Sequence, residues 1–228
     1  MKHPSFTAAV AASVVSALLV VACKGSQASP DRAESPHASP SAGQIAPTGV
    51  GTNPGNAGKG TPLAAAPGHE LAAFAMGCFW GSENTFRHVR GVTATAVGYA
   101  GGHTEAPTYE DVCGHGTGHA EVVLVEFDPK VVSYDKLLET FWKNHDPTTK
   151  NRQGPDVGDQ YRSGVFTFSP AQEAAYRASM EAEQKRRPKA ITTIVTPMKV
   201  FWKAEEYHQQ YDEKTGHESC PLPGVRGT

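Results

Sequence analysis

The stretch Ala75-Met76-Gly77-Cys78-Phe79-Trp80-Gly81 sets a cysteine between two glycines and ahead of two large aromatic residues. Behind it, "HELAAFAMG" (His69 to Gly77) is a short apolar run with the pattern of a strand. Ahead of it, "CFWGSENTFRHV" places Phe79, Phe86 and Val89 at helical spacing. Cys78 therefore lies where a strand turns into a helix. Unpaired amides and the positive end of the helix dipole favour an anion there. A cysteine in that place is expected to have a lowered pKa and to act as a thiolate. Gly77 and Gly81 let the backbone approach closely. The competing reading is a buried thiol that packs as a small hydrophobe.

Working outward, "GVTATAVGYAGG" (Gly91 to Gly102) alternates like a strand. "HTEAPTYEDVCGHGTGH" (His103 to His119) is polar, glycine-rich and reads as a loop. "AEVVLVEFDP" (Ala120 to Pro129) is a buried strand stopped by Asp-Pro. "SYDKLLETFWKNHDP" (Ser133 to Pro147) is a helix with Leu137, Leu138, Phe141 and Trp142 on one face. A second polar loop spans Thr148 to Gly164, followed by the strand "VFTF" (Val165 to Phe168). Ser169, Pro170 and Gln172 mark the capping box of a helix that stops before Pro188. "AITTIVTP" (Ala190 to Pro197) reads as a strand, "KAEEYHQQY" (Lys203 to Tyr211) as a short helix, and the rest, from Asp212, as coil. Strands and helices mix without a strict βαβ rhythm. That predicts an α+β fold: a two-layer sandwich with a mixed sheet, helices packed on it and a long C-terminal coil.

Composition divides the chain of 228 residues. No aromatic residue stands between Phe6 and Phe74. Lys2 precedes an apolar run ending "LLVVAC" at Cys23. The run is short for a span of about 20 residues and suits a signal peptide. Its end resembles the bacterial lipoprotein signal, in which the cysteine is acylated and becomes the mature N-terminus. The expected organisation is a signal peptide at 1–22, a lipid-anchored disordered linker at 23–68, and a catalytic domain at 69–228. The linker is too poor in apolar residues to offset its ordering entropy. A net charge of −2 gives no reason to expect nucleic acid as a partner.

With Cys23 set aside, Cys78, Cys113 and Cys220 remain, an odd number that leaves at least one outside a fixed intramolecular bridge. Cys113, His115 and His119, with His103 nearby, have a loose metal-ligand spacing. Loop histidines are more often solvated or hydrogen-bonded, and no pair-and-pair spacing repeats, so the signal for a metal is weak. Glu121 opens an apolar strand, where partial burial would raise its pKa toward that of a useful acid. Of Phe79 and Trp80, one is expected in the core and the other on a pocket wall. Tyr109, Asp156 and Tyr161 sit in the two polar loops, each with a bland explanation as turn or core cap.

Together these motifs resemble the peptide methionine sulfoxide reductase A family. The resemblance runs through "GCFWG" (Gly77 to Gly81), "GYAGG" (Gly98 to Gly102), "PTYEDVC" (Pro107 to Cys113), "TGHAE" (Thr117 to Glu121) and "FDP" (Phe127 to Pro129). It continues through "FWKNHDPT" (Phe141 to Thr148), "DVGDQYRS" (Asp156 to Ser163) and "EEYHQQY" (Glu205 to Tyr211). It implies that Cys78 attacks the sulfoxide sulfur of oxidised methionine, that Glu121 protonates the sulfoxide oxygen, and that Tyr109 and Tyr161 bind that oxygen. Asp156 would support the site through water, and Phe79 and Trp80 would hold the substrate methyl. The S epimer would be the substrate, free or in proteins, with no metal and no bound cofactor. A sulfenic acid on Cys78 would condense with a second thiol, to be reset by a thioredoxin-like dithiol. Cys220 matches the family's recycling cysteine, with Cys113 an alternative.

The same sequence leaves two competitors: a cysteine hydrolase or acyltransferase with Cys78 activated by His119, and a zinc module on Cys113, His115 and His119. Each explains one segment only. The full expectation is an exported, membrane-anchored monomer that repairs oxidised proteins.

Overall fold

The computed structural model describes residues 64–216. Cys23 and Cys220 lie outside the described residues. The elements run β1 (Glu70–Met76), α1 (Phe79–Arg87), β2 (Val92–Ala100), α2 (Tyr109–Cys113), β3 (Ala120–Phe127), α3 (Tyr134–Lys143), β4 (Arg152–Gln153), β5 (Asp156–Val157), β6 (Ser163–Thr167), α4 (Pro170–Gln184), β7 (Ile194–Pro197), β8 (Phe201–Lys203) and α5 (Tyr211–Thr215).

Six strands form one sheet in the order β7-β6-β1-β3-β2-β8. All neighbours are antiparallel except β6 and β7. The expected mixed sheet with helices packed on it is the observed fold. Period-two alternation sorts the central strands onto two faces. On one face Phe74, Met76, Val123, Val125 and Phe127 meet Leu137, Leu138, Phe141 and Trp142 of α3, Phe86 of α1 and Tyr176 of α4. On the other, Ala73, Ala75, Ala96, Ala100 and Ala120 leave room for Phe166 of β6 and Phe201 of β8. Those two strands are far apart in sheet order yet share one cluster, so the sheet curls on its small residues. β3 sits between β1 and β2 and is buried along its whole length. By the alternation, Glu121 shares the helix-covered face with Val123 and Val125.

Several local expectations are corrected. The loop His103–His119 contains α2, started by a capping box in which Thr108 and Asp111 bond each other's backbone. The loop Thr148–Gly164 holds the two-residue pair β4–β5. The strand expected over Ala190–Pro197 is trimmed to β7, and Phe201–Lys203 adds an edge strand that the pattern did not announce. The helix expected over Lys203–Tyr211 shrinks to one tight turn, Glu206–His208. Gln210 then adopts a left-handed conformation (φ 50°), its amide taken by Glu83, and α5 starts where coil was expected. At α4, Ser169 Oγ accepts the Gln172 amide, but the Gln172 side chain accepts from Phe168 rather than from Ser169, so half the box forms.

The joint between β1 and α1 rests on Gly77, whose φ is +92°. A Cβ there would lie 2.6 Å from Gln153 Cβ. Gly77→Ala is expected to lose roughly 1–3 kcal/mol in urea unfolding, from backbone strain plus displacement of Gln153. Gly116→Ala, at φ +89° with nothing within 4 Å, reports the strain alone and is expected to lose less. Equal losses at the two positions would show that Gln153 does not constrain the joint.

Candidate active site

Cys78 occupies the N-cap of α1 with φ −53° and ψ 123°. The first three helical amides are distributed with purpose. The Phe79 N–H donates to Glu121 Oε2 at 2.9 Å, deep in the protein. The amides of Trp80 and Gly81 face the Cys78 sulfur and favour its anion, although no side-chain capping bond closes there. Acid and sulfur are thus held to one helix end by neighbouring N–H groups.

Electrostatics overturn one expectation. The Cys78 thiol is pushed well above its ordinary range, first by burial and then by the charges of Glu121 and Asp156. The two amides oppose that rise without cancelling it. Cys78 therefore rests as a thiol, not as the thiolate expected from its helix position. The physical reason is that desolvation of an anion outweighs two partial charges. Glu121 follows the same logic: burial lifts its carboxyl from 4.5 to about 8, against the lowering effect of the Phe79 amide. At 2% exposure it is fully rather than half buried, and it carries a proton at neutral pH.

Asp156, half-buried at the tip of β5, has its carboxyl raised by burial. Tyr161 has its hydroxyl raised by burial and by the charges of Glu121, Cys113, Asp156 and Cys78. Tyr109, the first residue of α2, is raised by burial and by its hydrogen bond with Cys113. The fold thus brings Cys78, Glu121, Asp156, Tyr161, Tyr109 and Cys113 within electrostatic reach of one another from five separate segments. Arg162 ties the two loops that carry them, donating to the Gly118 and Asp159 carbonyls.

Of the aromatic pair, Phe79 enters the core and Trp80 only partly does. Phe79 is buried, with its ring 5.9 Å from Tyr99. Trp80 stays half-buried and stacks on Tyr211 at 3.9 Å, 11° between planes. Its indole N–H donates to His208 Nδ1 at 3.0 Å. Glu205, His208 and Tyr211 thus complete the site, and no role was assigned to them from sequence. The only available signal was that all three belong to the quoted "EEYHQQY" motif.

The loose histidines do not gather. His119 is buried, accepting the Gly102 amide at Nδ1 and bonding the Thr104 carbonyl through Nε2. Both of its nitrogens are spent on its own loop, leaving none to activate Cys78. His115 faces Asp159 at 3.7 Å. Among the described residues, no group of three His, Cys, Asp or Glu side chains is placed to hold a metal.

A thiol beside a neutral carboxylic acid, with the Tyr109 and Tyr161 hydroxyls near, can supply both a nucleophile and a proton. Comparison with known proteins gives the family. The family model for peptide methionine sulfoxide reductase matches residues 70–224. The chain is 61% identical over 153 residues to the peptide methionine sulfoxide reductase of Methanosarcina acetivorans, covering 65% of this chain and 80% of that one. It is 57% identical to the enzyme of Geobacter sulfurreducens over 153 residues, covering 66% of this chain and 94% of that one. Among solved structures, reduced Mxr1 of Saccharomyces cerevisiae matches with TM-score 0.64 and 39% identity, over 67% of this chain and 89% of that chain. The chain belongs to the peptide methionine sulfoxide reductase family and is an oxidoreductase.

The buried acid carries a stability consequence. A folded-state pKa of about 8 against an ordinary 4.5 means that the unfolded chain gains from ionising Glu121 and the folded one does not. That contribution lowers stability progressively from about pH 4.5 to pH 8 and is level above it. Glu121→Gln is therefore expected to be more stable than the native protein at pH 8, by at most roughly 5 kcal/mol. The gain should shrink toward pH 5. Equal urea midpoints for the two proteins across that range would contradict the raised pKa.

Proposed function

We propose that this chain reduces methionine-S-sulfoxide, free and in proteins, through a sulfenic acid on Cys78. The observation that carries the reading is the buried Phe79–Glu121 hydrogen bond, which holds a protonated acid beside the sulfur. A sulfoxide is a poor electrophile until its oxygen takes a proton. Glu121 gives that proton as the Cys78 sulfur attacks, and recovers one from the thiol. The substrate S–O bond breaks, an S–O bond forms on Cys78, and the methionine thioether leaves reduced. Cys78 loses two electrons and the substrate gains them, so the step balances without a metal or bound cofactor. Tyr109 and Tyr161 orient the oxygen, Asp156 supports the site through water, and Trp80, backed by Phe79, faces the methyl.

Recycling then needs a second thiol. Cys220 attacks the sulfenic sulfur, forms a disulfide with Cys78 and releases water. A thioredoxin-like dithiol resets the pair by exchange. Cys113 is the competing thiol, favoured by its place beside Tyr109. We further propose that the protein is an exported monomer, anchored through acylated Cys23, with residues 23–68 as its tether. A repair role at the envelope of a bacterial cell under oxidative stress follows from that placement.

Single-turnover reduction of a methionine-S-sulfoxide substrate tests the chemistry. Cys78→Ser is expected to abolish methionine formation, and Glu121→Gln to slow it roughly 10²–10⁴-fold. In the native protein the first step should slow as pH rises through about 8, as the Glu121 proton is lost. Full turnover by Cys78→Ser would end the proposal. Thiol mapping after one turnover without reductant is expected to find a Cys78–Cys220 bridge, and a Cys78–Cys113 bridge would reassign the recycling thiol. Mass measurement of the membrane-extracted chain reads out lipid on Cys23.

A further inference from the structure

His208 is wholly buried, at 0% exposure, in a segment that the proposed chemistry does not use. Its ring packs 4.5 Å from Tyr109, 5.1 Å from Phe79 and 4.0 Å from Tyr207. An indole N–H can only donate, so His208 Nδ1, which receives the Trp80 bond at 3.0 Å, carries no proton. The proton of the neutral ring therefore sits on Nε2. That nitrogen is buried without a hydrogen-bond partner among the described residues. The nearest charge is Glu205 Oε2 at 3.8 Å. Glu205 in turn accepts the Tyr109 amide at 2.9 Å and the Tyr99 hydroxyl at 3.2 Å.

Packing alone gives no reason for an imidazole here. A buried N–H without a partner destabilises the fold, and a leucine would avoid it. What the imidazole supplies is one bare nitrogen aimed at the edge of Trp80. Tyr211 fixes the plane of the indole by stacking, but a half-turn about the Cβ–Cγ bond returns the ring to that plane with its N–H on the other edge. The hydrogen bond to Nδ1 removes that rotation. Burial keeps the ring neutral, with its pKa lowered to about 4, so the acceptor is present throughout the neutral range.

We infer that His208 is a positioning residue that locks the Trp80 indole at one rotation, so that the aromatic wall presents a fixed slot to the substrate methyl. This rests on the proposed function, in which Trp80 faces that methyl. Glu205 seats the arrangement, because the same carboxylate holds the Tyr99 hydroxyl and the start of α2, where Tyr109 lies.

The test compares His208→Leu and His208→Asn, each in the native protein and in Trp80→Phe. An Asn carboxamide oxygen can stand where Nδ1 stands, whereas Leu offers no acceptor. His208→Leu is expected to raise KM for methionine-S-sulfoxide about tenfold while the saturating single-turnover rate stays within threefold. His208→Asn should restore KM to within threefold of native. In Trp80→Phe, adding His208→Leu should change KM less than twofold, since the partner is already gone. The Trp80 indole N–H proton resonance, read without substrate, should move upfield in His208→Leu and return in His208→Asn. An equal KM rise with and without Trp80 overturns the inference, as does an indole resonance that ignores both substitutions. The resonance and the Asn variant keep the test decisive if His208→Leu does not fold. Absent turnover by the native protein would sink the proposed function instead, while the resonance would still report on the His208–Trp80 bond.

Discussion

The 2.9 Å hydrogen bond from the Phe79 amide to the Glu121 carboxyl oxygen Oε2 is the joint on which the site depends. It couples the first turn of α1 to the middle of the sheet. Its donor is a backbone group that every helix leaves unpaired. Its acceptor lies on a strand buried on both faces. Because the next two amides face Cys78, the same helix end places the sulfur against the acid. Gly77 makes the joint possible: its φ of +92° starts the turn from β1 into α1 that Cys78 completes as the N-cap.

That geometry sets the protonation states. Glu121, an anion in water at neutral pH, and the ionisable thiol of Cys78 are placed close together in a dry interior, where their anionic forms oppose one another. The result is a neutral acid and a neutral thiol at rest, the pair on which the proposed mechanism draws. The arrangement costs folding stability, because burying Glu121 favours the unfolded chain above its ordinary pKa. Strain and desolvation of this kind concentrate where chemistry needs them.

A third side of the site comes from the last described segment. Glu83 on α1 receives the Thr95 hydroxyl, the Gln210 amide and the Gln210 side chain. Arg87 pairs with Glu213 through two bonds of 2.7 and 2.8 Å. These contacts fasten α5 to α1, so that Tyr211 reaches the face of Trp80 and His208 its edge. α1 therefore organises sulfur, acid and aromatic wall from one surface.

Much of this was legible along the chain. The apolar runs before Gly77 and from Ala120 to Phe127, the alternation from Gly91 to Gly102, and the one-sided helix at Leu137 to Trp142 determined strands, helix and class, because local pattern reflects which faces are buried. The position of Cys78 at a helix start was equally plain, as was Glu121 on an apolar strand. Three things were settled only by the tertiary structure. The small strand Phe201–Lys203 and the break at Gln210 depend on partners more than a hundred residues away in sequence, β2 and Glu83. The roles of Glu205, His208 and Tyr211 depend on their meeting α1. The protonation of Cys78 depends on burial and neighbouring charge, and these outweigh the helix-end amides that sequence alone could see.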